Sequence, residues 1–447
     1  MRGLWSTIAL IVVLGGLSAY IYFHVRTLPN PLVTKEEKVL ASIQSDQLDE
    51  LRITPESGET TTVKKADGAW QVVDPVAAPA DESKITTITS GLPSISVTRI
   101  VDENPTDLGN YGLARPRIDV GFKVSGDKDY RHLLIGEKSP LGNDLFATYS
   151  GEKRVYLISA NWEPVFNAST FDLREKALLK FDRSKVDGIE VSAGGTPLQF
   201  AKDGREWKVT KPVQARADYS SVEGLLNRLE GKAKSFVTND ASAGDLKKYG
   251  LDKPRSTVNL SMGGSKLTLL IGGNVDGGTV YARDGSRPAV MAAESTLVDE
   301  LKKGADQYRR KEIFEFHAFN ADRVDVIRNG QTVVFEKAKG QSDAASEKWR
   351  RISPNASDVD KDALNALLSK LESLRASSFT ESRAKTGLDS PAMSVLVKFE
   401  DGKKEERVTF GKTGAEVYAA RQDEPGAAKL DAADFNEALK ALDGLSK

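Results

Sequence analysis

The sequence predicts an α+β protein: an N-terminal transmembrane helix followed by three tandem repeats, each running antiparallel β-meander, helix, β-meander, helix. Three observations predict it. The sextet Tyr249-Gly250-Leu251-Asp252-Lys253-Pro254 recurs as Tyr111-Gly112-Leu113-Ala114-Arg115-Pro116 and as Thr386-Gly387-Leu388-Asp389-Ser390-Pro391. Gly112, Gly250 and Gly387 therefore stand 138 and 137 residues apart, and so constant a period marks one module built three times. Within each period, short alternating segments bounded by Gly-rich turns read as strands, and an apolar stripe at helical spacing reads as a helix. Ahead of the first period, residues 4–23 run 20 positions without a charge.

That apolar stretch, LWSTIALIVVLGGLSAYIYF, would be about 30 Å long as a helix, the thickness of a bilayer's hydrocarbon core. Trp5 lies near one end and Tyr20, Tyr22 and Phe23 near the other, where interfacial aromatics belong. A cleaved signal peptide would carry a shorter apolar region ending in a small-x-small site, so an uncleaved signal-anchor is expected. Arg2 and the amino terminus flank one side; Arg26, Lys35 and Lys38 flank the other. The charge count alone favours translocating the short tail. That tail is nevertheless the easier one to leave behind, so we expect the N-terminus inside and the modules extracytoplasmic. The organisation expected is an anchor at 1–26, an extended Pro-containing linker at 27–37, and modules at 38–173, 174–309 and 310–447.

Each module opens on an alternating strand, at 48–54, 186–192 and 324–328. In Gly188-Ile189-Glu190-Val191-Ser192 the apolar residues recur at the period of a half-buried strand. A third strand carries Trp70, Trp207 and Trp349, 137 and 142 residues apart, which is expected to be a packing position. A helix follows. Asp218 is suited to cap it, with Val222, Leu225, Leu226 and Leu229 on one face; Leu364, Leu367, Leu368, Leu371 and Leu374 form the same stripe in the third copy. The sextet is expected to be a corner: a helical turn at 245–249 stopped by Gly250 in the left-handed conformation, Leu251 folding back, and Pro254 starting an extended strand. A second meander and a closing helix complete each copy. Its second strand ends in an apolar-Gly step, Ile135-Gly136, Ile271-Gly272 and Phe410-Gly411.

Composition excludes several function classes. Lys plus Arg total 63 against 64 Asp plus Glu, a net charge of -1, so the basic footprint of a nucleic-acid binder is missing. There are no cysteines, hence no disulfide, thiolate metal site or Cys nucleophile. The three histidines, His24, His132 and His317, fall at non-equivalent positions, His132 reading as a strand-surface residue and His317 as a loop residue. Gly-x-Ser-x-Gly, His-Glu-x-x-His and the phosphate-loop pattern are absent. Gly272 to Gly278 reads as a hairpin turn rather than a phosphate or Ca²⁺ loop. The carboxylate pairs Asp102-Glu103 and Asp322/Asp325 are near in sequence only. The run Arg309-Arg310-Lys311 reads as a solvated linker, with a partner-docking patch as the sharper alternative. No catalytic, cofactor-binding or metal-binding residue is predicted, and no cofactor.

The three sextets, the apolar-Gly steps and the strands Val280-Tyr281-Ala282 and Val417-Tyr418-Ala419 together resemble the bacterial domain-of-unknown-function 4340 family over nearly the whole chain. The resemblance implies an association with ABC-type exporters of the gliding-motility kind, and it carries no catalytic residues. Thr386 and Ala114 depart from its pattern. The expected function is therefore a non-enzymatic, single-pass envelope protein with a scaffold or accessory role, its partners the membrane and ABC transporter permease or ATPase-associated subunits, with no nucleic acid. The alternatives are an envelope polymer or lipid binding module and a hydrolase with an unrecognised carboxylate site. Function should lie where the three copies differ.

Overall fold

The structure is a computed structural model that describes residues 13–16, 37–40, 42–140, 142–338 and 348–445. It forms two compact units, one ending at Lys176 and one beginning at Ala177. The first holds one nine-stranded sheet and the second holds two. The strands of the first sheet are β1 (Leu48–Thr54), β2 (Thr61–Ala66), β3 (Ala69–Asp74), β4 (Ala78–Pro79), β5 (Arg99–Asp102), β6 (Ile118–Val124), β7 (Arg131–Lys138), β8 (Asp144–Tyr149) and β9 (Val155–Ser159). Their order is β4-β3-β2-β1-β6-β7-β8-β9-β5, and both sheets of the second unit repeat it.

This corrects the predicted α+β class: the fold is mostly β, with about 22% of the described residues helical. The two successive meanders of each copy are one antiparallel sheet. The opening strand of each copy pairs not only with its hairpin partner but with the first strand of the second meander. Registers Leu51↔Phe122, Ile189↔Leu260 and Val324↔Val397 put buried apolar residues side by side on one face across that seam. Alternation tells which face of a strand is apolar; it does not name the strand that lies alongside.

The apolar face of each sheet is covered by the helix that follows the Trp strand. Asp81, Asp218 and Asp360 cap these helices (Glu82–Gly91, Tyr219–Leu229, Lys361–Glu372) by accepting from backbone amides in the first turn. The third helix buries Leu364, Leu367, Leu368 and Leu371, each contributing ~1.5–3 kcal/mol of transfer free energy. Trp70, Trp207 and Trp349 are buried members of the three cores, as expected for a packing position.

Of the predicted span at 4–23, residues 13–16 are described and helical; the rest lies outside the described residues. Among the described residues no helix is long and apolar enough to cross a membrane, so the predicted transmembrane helix is not an element of the described fold.

The corner forms as a strap over the opposite, outer face of the sheet. In the second copy Ser242 and Asp245 make a capping box at the start of the helix Ala243–Lys248. Gly250, at φ +69°, ends it: its amide donates to Lys247 and that of Leu251 to Leu246, satisfying two terminal carbonyls. In the first copy a 3₁₀ turn, Leu108–Tyr111, reaches Gly112 at φ +68°. The third reaches Gly387 at φ +75° through a turn without a helix. The apolar-Gly step lies directly beneath. A Cβ on Gly136, Gly272 or Gly411 would collide with the carbonyl oxygen of Tyr111, Tyr249 or Thr386. The two repeated motifs are thus the two sides of one contact.

Candidate functional site

The strap and the hairpin between the eighth and ninth strands of each sheet face one another, and their fillings differ from copy to copy. The registers align the three hairpins residue by residue. Ile135↔Ala147, Ile271↔Ala282 and Phe410↔Ala419 fix one side, and Asp102↔Val155, Thr238↔Val290 and Thr380↔Ala427 fix the other. Glu152, Arg287 and Glu424 are therefore equivalent, and on the strap so are Leu108, Leu246 and Arg383, three residues before Tyr111, Tyr249 and Thr386.

In the second copy the space is closed: Tyr249, Leu251 and Val290 are buried, with Leu246, Leu270 and Tyr281 packed against them, and Arg283 Nε donates to the Arg287 carbonyl of the hairpin at 3.0 Å. The Tyr249 and Tyr281 rings lie 4.5 Å apart. In the third copy the Arg383 guanidinium is the plug. Its Nε donates to the carbonyl of Gly426 (2.9 Å) and its Nη2 to those of Arg421 (2.9 Å) and Glu424 (2.8 Å).

In the first copy the apolar contacts persist, with Leu113 and Val155 buried and the Tyr111 and Phe146 rings 5.2 Å apart, and beside them lies an open groove of about 500 Å³, within the ~300–1,000 Å³ range of ligand pockets. It is lined by Asn104, Pro105 and Leu108 from the strap side, and by Leu134, Ser150 and Glu152 from the sheet and hairpin. Asp102 anchors the strap, accepting from the Asn104 amide (3.0 Å) and the Tyr111 hydroxyl (3.1 Å). The Asp102 hydrogen bond holds the Tyr111 phenol above its usual pKa. Arg154 supports the hairpin through Glu37 (2.8 Å) and Glu152 (3.3 Å), and the Glu37 hydrogen bond raises its pKa.

Chemical groups near the groove are occupied otherwise. His132, on the outer face of β7, holds Asp119 at 2.7 Å through Nδ1. The Ser150 hydroxyl accepts from the His132 backbone amide at 3.0 Å, so serine, histidine and aspartate do not form a nucleophile–base–orienter chain. His317 pairs with Glu372 at 2.7 Å in an exposed loop, as expected. Gly272 to Gly278 is the end of the strand Ser265–Val275 and the turn Asp276-Gly277-Gly278 that joins it to Thr279–Asp284, a hairpin as expected. Asp322 accepts from the Gly402 amide and Asp325 pairs with Arg323, so those two carboxylates serve separate partners. Among the described residues no three His, Asp or Glu converge to hold a metal.

The basic run is solvated only at its end, where Lys311 is exposed; its first residue is buried. Arg309 is 3% exposed, lies 3.7 Å over the Phe379 ring and reaches Glu424 at 3.5 Å. Burial pushes its pKa down while Glu424 pulls it up. Arg216 completes the cluster, at 2.6 Å from Glu424 and 3.1 Å from Glu315. These charges join the two sheets of the second unit. The groove residues themselves were missed because the signal is a loss: Thr148 and Leu108 stand where the other copies have Arg283 and Arg383.

A three-copy, nine-stranded antiparallel sheet protein with one open copy is the class this geometry defines. The chain belongs to the family described as Domain of unknown function (DUF4340), whose model matches residues 70–208, 207–380 and 349–446. Each match begins at or beside the Trp strand rather than at the start of a sheet. No curated protein matches. Among solved structures, the DNA polymerase sliding clamp from Pseudomonas aeruginosa is 10% identical, over 88% of this chain and 93% of that one, at a TM-score of 0.18. The DNA polymerase III subunit beta from the same organism is 8% identical, over 88% and 94%, at 0.17. Superposition at that level carries no functional argument.

Proposed function

We propose that this is a single-pass, membrane-tethered envelope protein whose modules bind a protein partner in a non-enzymatic accessory role. The partner is a permease or ATPase-associated component of an ABC-type export system, as the family resemblance implies, and residues 4–23 are the tether. One observation supports binding above the alternatives: the groove that two copies fill from within is left open in the first. Half-polar walls suit a peptide segment better than a lipid or an apolar polymer face.

The test is cross-linking of the intact protein in its native membrane, followed by identification of what co-purifies. Recovery of a permease or ATPase component, reduced when the groove is altered, supports the proposal; its absence under conditions that preserve such complexes overturns it. Protease added to spheroplasts should digest the chain from Lys38 onward. Protection of the modules would reverse the orientation.

A further inference from the structure

We infer that the groove of the first copy is a receptor for an arginine side chain, carried on an extended segment of the partner protein. This deepens the binding reading above and rests on it. The argument is that the chain fills this position twice with its own guanidinium. The carbonyl of Arg287 accepts from Arg283 Nε at 3.0 Å in the second copy. The equivalent carbonyl of Glu424 accepts from Arg383 Nη2 at 2.8 Å in the third. These two arginines come from different places, one from the strand leading into the hairpin and one from the strap. A guanidinium hydrogen bond to this carbonyl therefore recurs with the hairpin rather than with one neighbouring residue.

In the first copy both sources are gone. Thr148 replaces Arg283 and turns its hydroxyl to the Arg154 carbonyl at 2.9 Å; Leu108 replaces Arg383 and leaves its apolar side chain in the groove wall. Among the described residues no protein donor reaches the Glu152 carbonyl. The hairpin itself is unchanged in length, so the acceptor that both other copies satisfy still stands over a space of about 500 Å³. A guanidinium presents a planar fork of donors that matches carbonyls on one rim, and it is more weakly hydrated than an ammonium, so it suits a half-apolar groove better than lysine does. Leu108, Leu134 and Pro105 offer the apolar wall for the methylene stem.

The chain supplies its own probe: a fluorescent peptide of residues 380–388, TESRAKTGL, compared with the same peptide carrying Leu at the Arg383 position. Anisotropy with the full-length protein in detergent should show the Arg peptide binding at least tenfold tighter. Leu108→Arg, which supplies the third copy's plug to the first, should abolish that preference. Asn104→Arg on the exposed rim should weaken it at least fivefold, and this change disturbs no side-chain hydrogen bond in the fold. Circular dichroism and melting verify that each variant is folded. Equal affinity for the two peptides, or an arginine preference unchanged in both folded variants, overturns the inference. Cross-linking to an export component in either of those cases would leave the broader proposal standing. Arginine-selective binding without any such component would uphold the groove and remove the proposed partner.

Discussion

The carbonyl oxygen of Tyr249 rests on the α-carbon of Gly272, and the amide of Gly273 donates to it at 2.8 Å. The strap can lie on the sheet only because residue 272 has no side chain. Gly272→Ala is therefore expected to lift the strap and cost at least ~2 kcal/mol, among the larger single-site effects. Gly224→Ala is the control: a Cβ there meets nothing within 4 Å and replaces a mid-helix glycine, so it should stabilise by ~0.5–1 kcal/mol. Denaturant melts of the two variants should move in opposite directions.

Arg421 and Glu406 form a buried pair at 2.7 Å in the third sheet. Glu406 also accepts the amides of Glu315 and Phe316, and Arg421 donates to the Ile313 carbonyl. Burial opposes the charge on Arg421, but hydrogen bonds to Asp423 and Glu406 carry its pKa above the usual range. Arg421→Met leaves Glu406 without its cation and should cost ~3–5 kcal/mol. Glu406→Gln keeps an acceptor for the two amides and should cost less. The reverse order would mean that the amides, not the arginine, dominate the carboxylate's surroundings.

Arg309 links the two sheets of the second unit by stacking on Phe379 and facing Glu424. Arg309→Ala should cost ~2–4 kcal/mol, from a lost desolvated cation–π contact and an incompletely paired carboxylate. Calorimetry should then show the single transition of this unit broadening into two. An unbroadened transition would place the coupling elsewhere in the junction.

Glu163 is held below its ordinary pKa of 4.5, chiefly by the hydrogen bond from Lys138 at 2.8 Å, which together with Arg117 outweighs the opposing effect of burial. A depressed carboxylate contributes stability that is present above its unfolded pKa and lost as pH falls through the folded one. The first unit should therefore weaken as the pH drops below about 4.5. Glu163→Gln should flatten that part of the pH dependence, read as midpoint denaturant concentration from pH 6 to 3.

The local elements were legible because their signals are local. Asp218 and Asp360 cap helices for reasons contained in a few residues, and Gly250 ends one for the same kind of reason. What could not be read was pairing at a distance. Nothing in Leu51 specifies Phe122 as its neighbour across an interval that holds a helix, so two meanders were expected where one sheet exists. The groove was hidden for a related reason. Leu108 is unremarkable as a residue and informative only once Arg383 is known to occupy its place and to bond three carbonyls.

The family's boundaries cut across the sheets, and this bears on how the protein can be dissected. A fragment of residues 207–380 would start at the strand Glu206–Lys211 and leave Gly188–Ser192 and Leu198–Asp203 behind. It would also carry the first strands of the next sheet without their closing partners. Both remnants would present unpaired backbone along newly exposed edge strands, the template on which polypeptides aggregate. A fragment from Ala177 onward keeps both of its sheets whole. The repeat that recurs in sequence and the body that holds whole sheets are thus out of phase by two strands.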